Sequence, residues 1–387
     1  MVSPGGSVPG RVLFTYHPAY AGRGFSPLPR AWERYGAARQ FFTACGFDPL
    51  LLDLQQEPAP LDALLTVHDP DYIDRLKAAD RRGHETLDGA STPAWRGVWN
   101  RVRVAVGGSL ASVDVVATEV AAHAFNPGGG LHHAHRDRTG GFCPLNDVVI
   151  AVRHAQRHYG WHRIAIIDVD GHHGDGTQEL LYSENVLTVS LHRYDGRFFP
   201  GSGHYDELGW GLGLGSKVNI PLPRGTSDDA YCRAFDALVP PLVLAYRPQA
   251  IILQFGVDGH YQDAMVRLGL TLSTFAHIAH SVHDLAHSLC DGRLVVVGGG
   301  GYDPTAVARC WATLLLVLLE APNAVRAKAT ALIGTDEIPV ANGLDARGTE
   351  QLIAAVQARA FPFYNLGARE PANFTADDHR PGQLTYQ

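Results

Sequence analysis

The stretch Arg163 to Gly176, RIAIIDVDGHHGDG, constrains the fold of this chain more than any other. An apolar run of Ile, Ala and Val between charged residues reads as a strand covered on both faces, the pattern of a parallel sheet flanked by helices. Directly after the run stand Asp168, Asp170, His172, His173 and Asp175. In open α/β sheets the ligand crevice lies outside the carboxyl ends of the strands, which is where these residues fall. Asp170 and His172 are two apart, so in extended backbone they point to one side and can share a cation, leaving Asp168 and His173 for other work. A solvated acidic turn is the plain alternative. It does not explain why an apolar run, ligand-type side chains and glycines coincide.

The same alternation continues along the chain. Further strands are expected at 11–16, 120–125, 186–192, 218–221, 249–255 and 293–297. Helices are expected at 31–45, 71–80, 95–116, 147–159, 178–182, 228–245, 272–289 and 305–320. Strands alternating with helices predict an α/β fold with a parallel sheet covered on both sides. With 387 residues, 45% apolar, the chain can bury a large core, and no linker or repeat divides it. It reads as a single domain over 1–387, with a core at about 12–320 and a peripheral end from about 361.

A formal charge of −7 offers no basic face for nucleic acid and mildly favours a cationic substrate. Five cysteines without close spacing argue against a disulfide framework and fit a reducing cytoplasm. The amino-terminal segment lacks an apolar signal core, and the apolar run at 314–319 is too short to span a bilayer, so neither export nor membrane insertion is expected. The 20 histidines are numerous, but His154, His158 and His283 fall where helix surfaces are expected, and only clustered histidines count as a chemical signal.

Four other strand ends carry unusual groups: His132 with His133, Ser190 to His192, Asp258, and Gly298 to Tyr302. One sheet would bring them to one edge. Asp170, His172 and Asp258 would supply one nitrogen and two carboxylates and leave a position for water, as in a catalytic zinc site. Iron(II) or manganese(II) would also accept such ligands. The His132–His133 pair suits general acid/base work beside a metal. Asp168 and Asp175 could each hold one imidazole tautomer, and Tyr302 after four glycines could stabilise an oxyanion. A dinucleotide turn, a phosphate loop and an EF-hand all fail on spacing: Asp303 breaks the glycine pattern, GLGLGSK lacks Gly-Lys-Ser/Thr, and His173 stands where an EF-hand needs glycine.

The motifs GGLHHAHRDR (129–138), GFCPLND (141–147), DVDGHHGDG (168–176), TVSLH (188–192), FFPGSG (198–203), QFGVD (254–258) and GGGGYDPTAVARCW (299–312) resemble zinc-dependent histone deacetylases of class I type, and most of all their bacterial acetoin-utilisation relatives. The resemblance implies the arginase-deacetylase fold, a three-layer α-β-α domain around a mostly parallel eight-stranded sheet. Position by position it implies zinc on Asp170, His172 and Asp258, acid/base catalysis by His133 with His132 as electrostatic partner, and oxyanion stabilisation by Tyr302. It also implies that Asp168 orients His132 and Asp175 orients His133. Gly141, Phe142 and Phe199 would line the acyl-lysine slot, and Asp168, Asp170, His172, Ser190 and Leu191 would hold a structural potassium ion.

The rim departs from the family. Ser91 stands where an aspartate commonly grips the substrate backbone, with Asp88 three residues earlier as a candidate substitute. The first loop reads RGFSPLPR, which leaves the role of Arg30 near the acetate exit open, and after Asp258 the chain reads GHYQDAMVRLG. Three functions compete: a protein acetyl-lysine deacetylase, a deacetylase of small acylated amines such as acetylpolyamines, and a silent metal-binding module. Retention of Tyr302 and both histidines speaks against the third. A two-metal arginase-like hydrolase is disfavoured because Gly259 and His260 follow Asp258. The oligomeric state is not specified by these features.

Overall fold

The run Ile164–Asp168 is buried at all five positions and lies inside an eight-stranded sheet in the computed structural model, which describes residues 11–28, 30–337 and 343–367. In chain order the strands are β1 (Val12–Thr15), β2 (Leu51–Leu54), β3 (His123–Asn126), β4 (Ile164–Asp168), β5 (Leu187–Arg193), β6 (Lys217–Leu222), β7 (Ala250–Gln254) and β8 (Leu294–Val297). Across the sheet they run β2-β1-β3-β8-β7-β4-β5-β6, and every pairing is parallel.

The helices are α1 (Arg34–Cys45), α2 (Leu61–Leu64), α3 (Pro70–Arg82), α4 (Val98–Ala117), α5 (Asp147–Tyr159), α6 (Asp175–Leu180), α7 (Asp228–Tyr246), α8 (Leu272–Cys290), α9 (Pro304–Leu318), α10 (Asn323–Ile333) and α11 (Ala346–Ala360). Side chains alternate across a strand, so the sheet has two apolar faces and two cores. Ala165 and Ile167 pack with residues of α1, α7, α8 and α9 such as Phe42, Phe235, Phe275 and Trp311. Ile164 and Ile166 pack with residues of α4 and α5 such as Val106 and Val149 on the other face. This is the three-layer arginase-deacetylase arrangement.

Capping residues fix where the loops at the carboxyl edge hand over to helix. Asn146 accepts from Val149 N at the start of α5, and Asp303 accepts from Thr305 N and Ala306 N at the start of α9, with Pro304 in the first turn. Both caps directly follow loops that carry candidate site residues.

Two features differ from the sequence reading. β2 is a four-residue edge strand beside β1, too short for a periodic signal. Packing continues past residue 320: α10 and α11 bury Ala329, Ile333, Ile353 and Val356, and Phe361 at the expected peripheral start is 5% exposed. The rest of that end, 368–387, lies outside the described residues. All five cysteines are free thiols, and among the described residues no helix is long and apolar enough to cross a membrane.

Ile167 is fully buried in the central strand β4. Ile167→Ala should lower stability to urea by about 2–5 kcal/mol, the cost of a buried large-to-small change. A loss below about 1 kcal/mol would show that the centre of the sheet is not close-packed there.

Candidate active site

β3, β8, β7, β4 and β5 are consecutive neighbours in the sheet, so the loops after them meet at one edge. This brings His132, His133, Asp168, Asp170, His172, Asp175, Asp258 and Tyr302 together. Nδ1 of His172 lies 2.9 Å from Asp258 Oδ2 and 3.2 Å from Asp170 Oδ1. The three groups are buried, with ligand atoms within 4.8 Å of one another. Asp170 Oδ2 accepts from Gly300 N (2.7 Å) and Gln254 Nε2 (3.0 Å), and Asp258 Oδ1 from Gly171 N (2.7 Å). Two carboxylates in a dry interior require a cation between them. Burial and the charge of Asp170 push the Asp258 carboxyl up. Burial opposes a charge on His172, but Asp258 and Asp170 prevail and push its pKa up to about 10, which shows how strongly the two carboxylates favour positive charge at this point. The donor set, one nitrogen and two carboxylates, fits a divalent metal.

Each histidine of the pair has its own carboxylate. His132 Nδ1 donates to Asp168 Oδ2 (2.8 Å), and His133 Nδ1 donates to Asp175 Oδ1 (2.7 Å). Their Nε2 atoms face one another at 3.1 Å. The environments separate the two rings. Burial works against His132, yet Asp168 and Asp170 push it up to about 9. Burial and the charge of His132 hold His133 down at about 4 against the pull of Asp175. Pairs driven apart in this way mark acid and base roles.

Gly130, Leu131, His132, His133, Gly141, Phe142, Asp170, His172 and Tyr302 line one narrow cavity of about 60 Å³. Gly141 is at φ +47, and a β-carbon on it would run into the His133 ring and Phe199. Phe142, at φ +67, sets its ring 6.0 Å from that of Tyr302. Phe199 is 48% exposed and is not among the residues lining the cavity, but its ring lies 5.0 Å from that of His133 and 6.2 Å from that of His172. Burial and the nearby Asp258 and Asp170 carboxylates push the Tyr302 phenol well up, so it remains a donor.

The rim residues behave differently. Ser91 is exposed and outside the cavity lining. Asp88 cannot substitute for the missing carboxylate. Its oxygens accept from the backbone N–H groups of Ala90, Ser91 and Thr92 and from Thr92 Oγ1 (2.6 Å), so it is consumed in folding its own loop. Arg30 is exposed and pairs with Glu33, whereas Arg34 Nη1 donates to Gly301 O (2.7 Å) and lines the inner cavity. Asp168 and Ser190 are register partners on β4 and β5, with Leu191 next along, and Ser190 Oγ contacts His192 Nδ1 at 2.9 Å.

Several positioning residues were not foreseen. Asp147 accepts from Gly130 N (3.1 Å) and Leu131 N (2.7 Å), holding the backbone that leads into the histidine pair. Asp263 accepts from Tyr302 N (2.6 Å), and burial and Asp258 push its carboxyl up to about 7. Thr92 Oγ1 accepts from Phe142 N (3.1 Å), tying the rim loop to the slot. Asp147 ends the GFCPLND motif and Asp263 lies in the departing segment after Asp258, and nothing local marks the partners of either.

The histone deacetylase domain matches residues 29–318 of this chain. The chain belongs to the histone deacetylase family. It is 38% identical over 263 residues to the acetoin utilization protein AcuC of Bacillus subtilis (strain 168), covering 65% of this chain and 68% of that protein. It is 35% identical over 278 residues to AcuC of Staphylococcus aureus (strain MRSA252), covering 70% and 71%. The crystal structure of the HDA15 HD domain superposes with a TM-score of 0.79 at 25% identity, over 92% of this chain and 97% of that one. As a deacetylase of this family, the protein is a hydrolase acting on amides, similar to AcuC, with the fold of that family.

His135 braces the same edge: Nδ1 donates to Glu179 Oε2 (2.8 Å) and Nε2 lies 3.4 Å from Asp175 Oδ2. Burial opposes its charge, but Asp175 and Glu179 push its pKa up to about 9, above its ordinary value of 6.5. A raised histidine pKa gives stability that is complete below the unfolded value and lost as pH rises through the folded one. His135→Gln should therefore be less stable than the native protein by a margin that is largest below pH 6.5 and shrinks as pH passes 9. Urea midpoints across that range check this, and a pH-independent margin counts against it.

Proposed function

We propose that this deacetylase hydrolyses the acetyl amide of N6-acetyl-lysine. The observation that carries the reading is the pair of histidines, each locked to its own carboxylate and pushed in opposite directions, beside a two-aspartate, one-histidine donor set in a single narrow cavity. Asp170, His172 and Asp258 would hold Zn2+, or alternatively Fe2+ or Mn2+, and the ion would polarise the acyl carbonyl and acidify water. Asp168, Asp170, His172, Ser190 and Leu191, adjacent on β4, its loop and β5, are proposed to hold a structural K+.

In this mechanism Asp175 accepts the Nδ1–H of His133 and so fixes Nε2 as the atom that would take a proton from the attacking water. The water oxygen bonds to the acyl carbon, and the carbonyl electrons move onto its oxygen. The Tyr302 phenol, kept protonated by burial and its anionic neighbours, donates to that oxyanion. His133 then delivers the proton to the amine nitrogen as the carbon–nitrogen bond breaks. His132 faces the same Nε2 atom at 3.1 Å, so its charge sets how strongly His133 holds the proton. Gly141 and Phe142 would flank the lysine stem, with Phe199 beside Gly141 and the His133 ring, and Arg34 at the inner wall would attract the departing acetate.

One observation favours a second reading, in which the substrate is a small acylated amine such as an acetylpolyamine. With Ser91 exposed and Asp88 consumed by its own loop, this part of the rim offers no free carboxylate to a peptide backbone. Charge-assisted hydrogen bonds of that kind are worth about 1.5–3 kcal/mol each.

Tyr302→Phe should fold normally, yet lose amide hydrolysis by roughly 100- to 1000-fold, as removal of one oxyanion donor does. A native rate would remove Tyr302 from the mechanism. The substrate is decided by kcat/KM for an acetyl-lysine peptide, free acetyl-lysine and an acetylated polyamine on one preparation. The first reading expects the peptide to be best. If the peptide is poorest and Ser91→Asp improves it selectively, the small-amine reading replaces it.

A further inference from the structure

A second group of nitrogen donors lies at the opposite edge of the sheet. His123 is the first residue of β3, at its amino end, whereas His132 and His133 follow its carboxyl end. It was expected that histidines such as His283 would sit apart on helix surfaces, but the fold clusters them. α8 carries His283 and His287 four residues apart, so both face the same way, and that face lies over His123. The three imidazoles form a closed triangle, with ring centroids 4.9 Å (His123–His283), 5.1 Å (His123–His287) and 4.5 Å (His283–His287) apart.

The spacing suits coordination. Each residue offers one ring nitrogen such that all three lie within 4.8 Å of one another, and Nε2 of His123 and His287 are 3.2 Å apart. Two nitrogens each about 2.0–2.1 Å from a tetrahedral ion sit at about that separation. A simple histidine–histidine hydrogen bond accounts for one contact only, and not for the third ring. His123 is 5% exposed and packs its ring against the other two imidazoles, with the backbone of Gly292 and Ala122 beside it. Metal binds the neutral ring, the form that burial favours at His123 and His283. Burial, then the neighbouring imidazoles, push His123 down to about 3, and burial and His287 lower His283. His287 is exposed and leaves one side open to water or a fourth ligand.

We propose that His123, His283 and His287 form a second metal site that binds a divalent late first-row ion such as Zn2+ or Ni2+ through three imidazole nitrogens. The ligand type selects these ions over Mg2+ or Ca2+, which favour oxygen. The site lies away from the reaction edge and ties the last turns of α8 to β3, so its ion acts on stability and not on turnover.

The test is metal stoichiometry of the full chain dialysed against Zn2+, for the native protein and for a His283→Gln, His287→Gln double variant. Neither residue belongs to the deacetylase machinery, and His287 is exposed, so the single His287→Gln variant serves should the double variant fold poorly. The native protein should bind two equivalents and the double variant one, with kcat/KM for deacetylation unchanged. His287→Gln alone should weaken the second equivalent by about tenfold or more, and Zn2+ should raise the thermal midpoint less in the variants than in the native chain. Equal stoichiometry in native and double variant, at one or at two equivalents, overturns the proposal. Asp258→Asn separates this result from the active-site reading: it should remove the other equivalent, and failure to do so counts against the catalytic metal site alone.

Discussion

Burying Asp170 and Asp258 side by side is the constraint on which the rest of the reaction edge depends. Each charge taken from water costs several kcal/mol, and the two repel. The fold answers with N–H groups from Gly300 and Gly171, the Gln254 amide and the His172 ring. These donors come from the ends of β4, β7 and β8, so the carboxylates are compensated only when those strands stand in register. The glycine-rich turn after β8 follows from the same demand. A β-carbon on Gly300 would run into Asp258, so the backbone can reach Asp170 only without one.

The histidine pair depends on this arrangement at one remove. Asp168 and Asp170 raise His132, and His132 lowers His133. A charge pattern set at the carboxylates is thus carried two rings away through direct contacts of 2.8 and 3.1 Å. Asp175 completes the set from the first turn of α6, where a carboxylate is also favoured by the helix terminus.

Much of this was legible because sequence and space coincide at strand ends. Asp168 to Asp175 is one continuous stretch, and the remaining groups each follow an apolar run. The parallel sheet was legible for the same reason, since β4, β7 and β8 are unbroken apolar segments. Contacts between distant segments were hidden. Arg34, not Arg30, reaches Gly301 because α1 turns it inward, which a loop pattern ending in two arginines four apart does not reveal. Asp88 looked available but is sequestered by N–H groups two to four residues on. His123, His283 and His287 are separated by up to 164 positions and meet only through tertiary packing. α10 and α11 escaped notice because they lie beyond the last strand, where alternation no longer signals anything.

Gly141 bears on how this scaffold can diversify. Its missing side chain is the space between His133 and Phe199, and its φ of +47 disfavours any replacement. The slot at that point is therefore made of backbone, and point mutation has almost no neutral path by which to widen or reshape it. Phe199 and Ser91 are exposed and bear no comparable load. Lineages built on this fold would be expected to explore new substrates by drift in the rim loops, while the neck beneath them stays frozen.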